Sequence, residues 1–464
     1  MERYDVLVIG SGSGASIVDA ALSHGMSVAL VEKDELGGTC LNRGCIPSKM
    51  VIYPADVVQL IKQAERIGIH ATIDEISFPE IMEQMRKSVT EDRHKMEEDI
   101  PNIKGLHLYK GVGEFTGEYK MRVGSEDFEA KNIFIVAGAR PEIPLIKGID
   151  QVSYLNSINV WNLRQRPSSI VILGGGFIAT EMAHFFSGMG TDVTIITRSP
   201  RLLKNSEPEI SETLMQAMRS RMTILTEAEI TEVRENKGVK EVITRDQKDQ
   251  TMTFKAEQLF IATGLHGNGD ILHADRTGLK VDEHGYIKVN DYFETGKDHI
   301  WAFGDIIGRY QFKHVANQAA ETVWHAFTQG RREPFDFSKV PYAVFTWPEV
   351  ASVGLTEENA LKQGNKILVG ISAYADTAYG IAMGEEDGFC KLIVEQESYK
   401  ILGCHIIGPF APILIQEVIN CMSCGGGNVF PLLDSMHIHP ALPEVVQRAA
   451  YHLHEHGPGH EHTH

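Results

Sequence analysis

Cys40 and Cys45 enclose Leu41-Asn42-Arg43-Gly44, and Ile46-Pro47-Ser48-Lys49 follows at once. In an undistorted helix, residues i and i+5 are roughly 8–9 Å apart. A disulfide tolerates only about 4.4–6.8 Å between Cα atoms. A bond between these thiols therefore needs an irregular helix start, which Gly44 makes easier. A bond so placed, just after a nucleotide-binding fingerprint, suits one made and broken in every turnover. The plainer alternative is a pair of small core thiols. The flanking Gly37-Gly38-Thr39 and Pro47-Ser48-Lys49 argue against it.

The elements that must position this pair come in two similar sets. Tyr4-Asp5-Val6-Leu7-Val8-Ile9 reads as a buried strand. It runs into Gly10, Gly12 and Gly14, with Ala15 in the third fingerprint position, and then into a helix through Ala21. A second strand, Ser27 to Val31, ends at Glu32. Such glycines let backbone approach a pyrophosphate at a helix N-terminus, and the terminal acid can take ribose hydroxyls. The pattern returns at Ser169 to Leu173, then Gly174, Gly175 and Gly176 with Phe177, Ile178 and Ala179, then the strand Asp192 to Ile196. Strand, turn, helix and strand together make each match specific, and two fingerprints call for two dinucleotides.

Gly37 to Lys49 resembles the active-site signature of the FAD-dependent pyridine nucleotide–disulfide oxidoreductases, and the resemblance runs from Tyr4 to about Ala450. It implies an α/β fold: two Rossmann-like dinucleotide-binding domains, the NAD(P) domain inserted in the FAD domain, plus an α+β C-terminal interface domain. The expected divisions are 1–148 (FAD, first part), 149–262 (NAD(P)), 263–338 (FAD, second part), 339–451 (interface) and 452–464 (a His-rich, disordered tail). By the same resemblance the first fingerprint takes FAD and the second a nicotinamide. Ala137-Gly138 and Ala262-Thr263-Gly264 resemble the chain crossings between domains, although Leu265 and Gly267 stand where many relatives have Arg and Pro. Ile300 to Asp305 resembles the second FAD motif, with Asp305 on the ribityl chain, and Lys313-His314-Val315-Ala316 the stretch beside the flavin. A helix N-cap is the simpler role for Asp305. Lys49 and Glu181 match an ion pair beside the flavin; alone, each could be a surface residue. Arg43 departs from the usual Val and either favours a thiolate or faces solvent.

His437-Ile438-His439-Pro440-Ala441-Leu442-Pro443-Glu444 resembles the segment in which the second His carries a proton and Glu444 orients it. Cleaving a disulfide expels a thiolate, and an imidazole titrating near neutrality can protonate it. His437 is the weaker candidate, and a capped loop is the alternative. In the family this segment reaches the cysteine pair of the other subunit, which implies a homodimer with shared active sites.

The coenzyme can be weighed at the second fingerprint. An acid at the end of its second strand would bind the 2′-hydroxyl of NADH; here the chain reads Thr197-Arg198-Ser199-Pro200-Arg201-Leu202-Leu203-Lys204. Arg198 and Lys204, with Arg201 nearby, could hold a 2′-phosphate, or form an ordinary solvated loop. Phe177 matches an aromatic ring that covers the flavin in glutathione reductase-like enzymes. The expectation is an NADPH-dependent reductase of a low-molecular-weight disulfide, most like the mycothione reductases. NAD-linked dihydrolipoamide dehydrogenase is the alternative and mercuric reductase a more distant one.

Composition bounds the rest. The 464 residues are 43% hydrophobic and 23% charged, with a net charge of −18. That charge argues against nucleic acid or an anionic membrane as partner, and no apolar run suits a bilayer. Six cysteines in so long a chain do not make a secreted framework, and Met1-Glu2-Arg3-Tyr4-Asp5 does not resemble a signal peptide, so a cytoplasmic setting is expected. Cys421 and Cys424 could share a helix face as packing, with no metal assigned; Cys390 and Cys404 sit in apolar strands. The tail from His452 holds six histidines, with metal affinity or an incidental origin both open.

Overall fold

Strand Glu2–Ile9 has no polar face beyond its first residues, as befits a strand covered on both sides. In the computed structural model, which describes residues 1–455, it pairs in parallel with Val28–Glu32 on one side and Glu126–Ile135 on the other. Leu106–Lys110 extends the first side, and Ile300–Ala302 joins Glu126–Ile135 from late in the chain. Strand order thus reverses about Glu2–Ile9. The carboxyl edge at such a reversal is where open α/β sheets bind ligands. Helix Ala15–Ser23 starts there, directly after the glycines.

The second set builds a smaller parallel sheet. Ser169–Leu173 lies between Asp192–Ile196 and Gln258–Ile261, with Thr223–Leu225 outermost. Helix Phe177–Gly188 opens at its fingerprint. Ala139–Pro141 and Leu265–Gly267 pair antiparallel, so the two crossings between the sheets run side by side.

From Pro341 onward the chain forms a six-stranded antiparallel sheet. Its order is Pro341–Val344, Val350–Gly354, Ile401–Ile407, Phe389–Glu395, Ile367–Ala373 and His454–Glu455. Helices Ala411–Ser423 and Pro443–Tyr451 cover one face through Leu414, Ile415, Val418, Val445, Val446 and Ala449. The expected disordered tail needs correction at its start: His454 and Glu455 pair with Val369 and Leu368, because the open edge of strand Ile367–Ala373 offers unpaired backbone groups. Residues 456–464 lie outside the described residues.

Cys390 and Cys404 are fully buried on neighbouring strands with their Sγ atoms 3.7 Å apart. Cys421 packs partly against the core. Cys424 lies one residue past the helix end and is exposed, so the two do not share a packed face. Among the described residues no helix is long and apolar enough to cross a membrane.

One apolar core joins all three regions. Val51, Ile52 and Ala55 of helix Cys45–Gln63 pack with Met182, Phe185 and Phe186 of helix Phe177–Gly188 and with Val344, Val350 and Ile407 of the antiparallel sheet. A Cβ on Gly188 would stand 2.6 Å from that of Ala55, so the two helices touch there at backbone distance. The helix that begins at Cys45 is therefore held from both sides.

Candidate active site

Helix Gly38–Asn42 stops at Arg43 (φ −145°), Gly44 turns the chain (φ −128°, ψ −113°), and a new helix starts at Cys45. A Cβ on Gly44 would lie 3.0 Å from the Thr39 carbonyl oxygen and 3.4 Å from the Cys40 Cα. This break folds the two thiols onto each other. The Cys45 S–H donates to Cys40, and that hydrogen bond, helped by the Lys313 ammonium and opposed by burial, lowers the Cys40 thiol to about 6. Cys45 moves the opposite way, raised by the same bond and by burial, so the pair yields its first proton from Cys40. Both are free thiols here. Arg43 does not reach them: Asp34 (3.0 Å) and Glu35 take its guanidinium.

Four residues along the same helix, Lys49 Nζ donates to Glu181 Oε2 at 2.8 Å and lies 4.1 Å from the Phe345 ring centroid. Glu181 Oε1 accepts the Phe345 N–H at 3.0 Å, so both carboxylate oxygens are engaged. A second polar tie joins the same helices. His184 Nε2–H donates to Asp56 at 2.7 Å and its Nδ1 accepts from Arg221 at 2.9 Å, which fixes a neutral tautomer. Burial holds this imidazole well below its ordinary value and pushes Asp56 up to about 7.

The first fingerprint has the shape of a dinucleotide cradle. A Cβ on Gly14 would meet the Gly10 oxygen at 2.3 Å and the Val8 side chain at 2.7 Å, so only glycine lets strand and helix close there. At Gly12 the space is open except for the Gly38 Cα at 3.8 Å, which leaves the loop surface bare for a ligand. Glu32 is buried at the end of its strand, accepting from the Ser11 N–H and hydroxyl and the Asp34 N–H. Asp305 is the second residue of the 3₁₀ turn Gly304–Ile307, whose N-cap is Phe303, and its carboxylate accepts no hydrogen bond from the described residues; burial raises it to about 6 against the pull of Lys313. A half-buried carboxylate with no donor among the described residues fits a ligand rich in hydroxyls. Ala316 is buried on helix Lys313–Gln329 beneath it, and a Cβ on Gly304 would touch it at 3.4 Å. Ala137 places its carbonyl on Asn268, and Gly138 adopts φ +68° at the crossing. These residues suit FAD.

At the second fingerprint a Cβ on Gly174 would strike the Ala262 oxygen at 2.2 Å, while Gly176 faces open space. Gly264 (φ +132°) leaves the neighbouring crossing similarly open. Ala179 is buried under the helix start. Arg198 and Lys204 are exposed on the loop after Asp192–Ile196 and form no ion pair among the described residues; Arg201 donates to the Lys204 carbonyl at 3.3 Å. The Phe177 ring stacks on Tyr342 at 5.1 Å and on Phe312 at 5.7 Å.

At the far end, His439 Nδ1 is 2.9 Å from Glu444 Oε1, and Glu444 Oε2 accepts the Ala441 N–H. The imidazole side chain is 71% exposed, and within one chain it bonds to neither cysteine. His437 is engaged otherwise, with Glu417 at 3.2 Å.

Sequence reasoning placed Lys313 beside the flavin but missed its partners and a second polar cluster. Lys313 donates to Ser13, which donates to Asn317, tying the first glycine loop to the late helix. Asp56 and His184 fall on the same helix faces as Lys49 and Glu181, a spacing of seven and three that could have pointed to them. Tyr342 had no signal beyond its type.

Residues 4–320 match the family described as pyridine nucleotide-disulphide oxidoreductase, and residues 340–450 match its dimerisation domain. The chain belongs to this family: an FAD flavoprotein oxidoreductase that uses a pyridine nucleotide and a redox-active disulfide centre to act on sulfur groups. It is 37% identical to mycothione reductase of Mycobacterium tuberculosis, over 97% of this chain and 99% of that one. It is 34% identical to dihydrolipoyl dehydrogenase of Chlorobaculum parvum, over 97% of both. The HOCl-induced flavoprotein disulfide reductase RclA from Escherichia coli, solved as a Cu(II) complex, superimposes with a TM-score of 0.86 at 26% identity, covering 97% of this chain and all of that one.

Proposed function

We propose that this protein is an NADPH-dependent reductase of a low-molecular-weight thiol disulfide, of the mycothione reductase kind. The observation that carries it is the broken helix that folds Cys40 and Cys45 onto each other beside a nucleotide cradle. The identity with mycothione reductase over nearly the full length supports the substrate class, and the cation-rich, acid-free loop after Ile196 supports NADPH.

In this reading Gly10, Gly12, Gly14, Ala15, Glu32, Lys49, Ala137, Gly138, Asp305 and Ala316 hold FAD. Gly174, Gly176, Phe177, Ala179, Gly264, Arg198 and Lys204 hold NADPH. Bound FAD would supply the two-electron relay between the pyridine nucleotide and the cysteine pair. The Lys49–Glu181 pair keeps one positive charge fixed near Cys45. The Cys40 thiolate attacks one sulfur of the substrate disulfide. That S–S bond breaks, and the departing sulfur keeps the electron pair and takes a proton from His439. Cys45, deprotonated, then attacks the Cys40 sulfur, expels the second substrate thiolate, which is protonated in turn, and closes Cys40–Cys45. One disulfide plus two electrons and two protons gives two thiols.

His439 reaches a cysteine pair only across subunits in this reading, which makes the enzyme a homodimer. Met436 and Ile438 beside it are exposed apolar side chains, Met436 fully and Ile438 largely, which suits contact with a second copy. The exposed free thiol of Cys424 fits a reducing, cytoplasmic setting. The test is a panel of lipoamide, glutathione, mycothiol, coenzyme A and γ-glutamylcysteine disulfides, each assayed with NADPH and NADH. Turnover of lipoamide with NADH as the best pair would replace this reading by dihydrolipoamide dehydrogenase, which the Chlorobaculum parvum relative favours.

A further inference from the structure

The loop that carries Arg198 and Lys204 is held in an unfavourable shape. Leu203 within it has φ +47°, a left-handed conformation that branched and bulky residues avoid. Such strain persists only where neighbours over-determine it. Three ties do so. The Leu203 N–H donates to the Gly175 oxygen at 2.7 Å, fastening the loop to the second fingerprint. Ser206, buried, shares a hydrogen bond with the Tyr342 hydroxyl at 2.9 Å. Glu207, also buried, lies 3.4 Å from the buried ammonium of Lys391. The last two partners belong to the antiparallel sheet, far along the chain.

Tyr342 does more than hold Ser206. Its ring stacks on Phe177 at 5.1 Å and 25°, and Phe177 is the first residue of the helix that the second fingerprint opens. One side chain therefore touches the two ends of the pyridine-nucleotide site: the ring next to the glycines through its face, and the cation loop through its hydroxyl. We propose that Tyr342 is a positioning residue for the coenzyme, its hydroxyl setting the Arg198–Lys204 loop for a 2′-phosphate and its ring setting Phe177. The proposal rests on the NADPH reading above. It assigns the two effects to different atoms of one residue, so they can be separated.

The holoenzyme is assayed with menadione as electron acceptor, which leaves the disulfide substrate out of the measurement. Tyr342→Phe keeps the ring and removes the hydroxyl. Loss of one hydrogen bond should raise the KM for NADPH by about three- to tenfold, with the KM for NADH moving less than twofold. Ser206→Ala should do the same, and the double variant should add nothing, because both remove one bond. Tyr342→Ala should also lower kcat with both coenzymes, since Phe177 loses its support. Arg198→Glu serves as control. If it keeps the parent KM for NADPH, the coenzyme reading falls and this proposal with it. If Arg198→Glu is defective while Tyr342→Phe and Ser206→Ala match the parent, or shift both coenzymes equally, the proposal alone is overturned.

Discussion

His439 Nδ1 faces Glu444 Oε1 at 2.9 Å, while the other oxygen of Glu444 is fixed by the Ala441 N–H at 3.2 Å. The hydrogen bond to His439 lowers the Glu444 carboxyl, so it is ionised at neutral pH. An ionised acceptor at Nδ1 keeps that proton in place and turns Nε2 outward as the working nitrogen. General acid catalysis contributes about 10²–10⁴-fold. His439→Ala should lose turnover with a disulfide by that order, while NADPH still reduces the bound FAD rapidly in stopped flow. Glu444→Gln should lose less. A His439→Ala enzyme with near-normal turnover would leave His437 as the residue to test.

The Cys40 thiol, lowered to about 6, predicts a pH profile. A depressed thiol is ionised above its titration point, so reactive thiolate is present at neutral pH and is lost as pH falls through about 6. In reduced enzyme, the rate of iodoacetamide alkylation should rise through that pH and level off well before pH 8. Cys40→Ser should remove this phase. A single rise centred near the ordinary thiol value would contradict the paired geometry.

Asp305 carries a cost that its proposed ligand explains. Burial raises its folded value to about 6, above that of an unfolded carboxyl, so the folded chain binds the proton more tightly. The sign follows: stability is greatest below the unfolded value and declines as pH rises from there through about 6. In FAD-stripped protein, Asp305→Asn should therefore be the more stable at pH 7.5, by on the order of 1–3 kcal/mol, and the advantage should fade toward pH 4. The same variant should bind FAD more weakly. Thermal melts with and without FAD measure both, and a destabilised, FAD-free variant at pH 7.5 would refute the assignment.

Arg198 stands exposed with no ion pair among the described residues, so its charge is available to a ligand. A charge-assisted contact is worth roughly 1.5–3 kcal/mol, and Arg198→Glu should cut kcat/KM for NADPH more than tenfold while sparing NADH. Equal use of both coenzymes by the parent would count against the NADPH reading.

Much of this arrangement could be read from short-range pattern. The two glycine loops follow strands without a polar face, and the structure places each at the edge of a parallel sheet, because backbone sterics alone demand glycine at Gly14 and Gly174. The broken helix between the cysteines followed from the mismatch of helix geometry and disulfide reach. Lys49–Glu181 was legible only through resemblance, since 132 positions separate the partners. Arg43 shows the limit plainly: its guanidinium is taken by Asp34 and Glu35 across a turn, and residue type did not reveal that pairing. Tyr342 depends on three segments meeting in space, which no local period encodes. The start of the tail became a strand because an unpaired edge far upstream accepted it.

The central claim is that Cys40 and Cys45 exchange electrons with a substrate disulfide. Differential alkylation with mass spectrometry tests it directly. Anaerobic enzyme is alkylated as isolated, after NADPH, and after NADPH followed by excess disulfide. Cys40 and Cys45 should be protected at first, labelled after NADPH and protected again after disulfide, with Cys390, Cys404, Cys421 and Cys424 unchanged throughout. Labelling of Cys40 and Cys45 that is the same in all three samples would contradict the account.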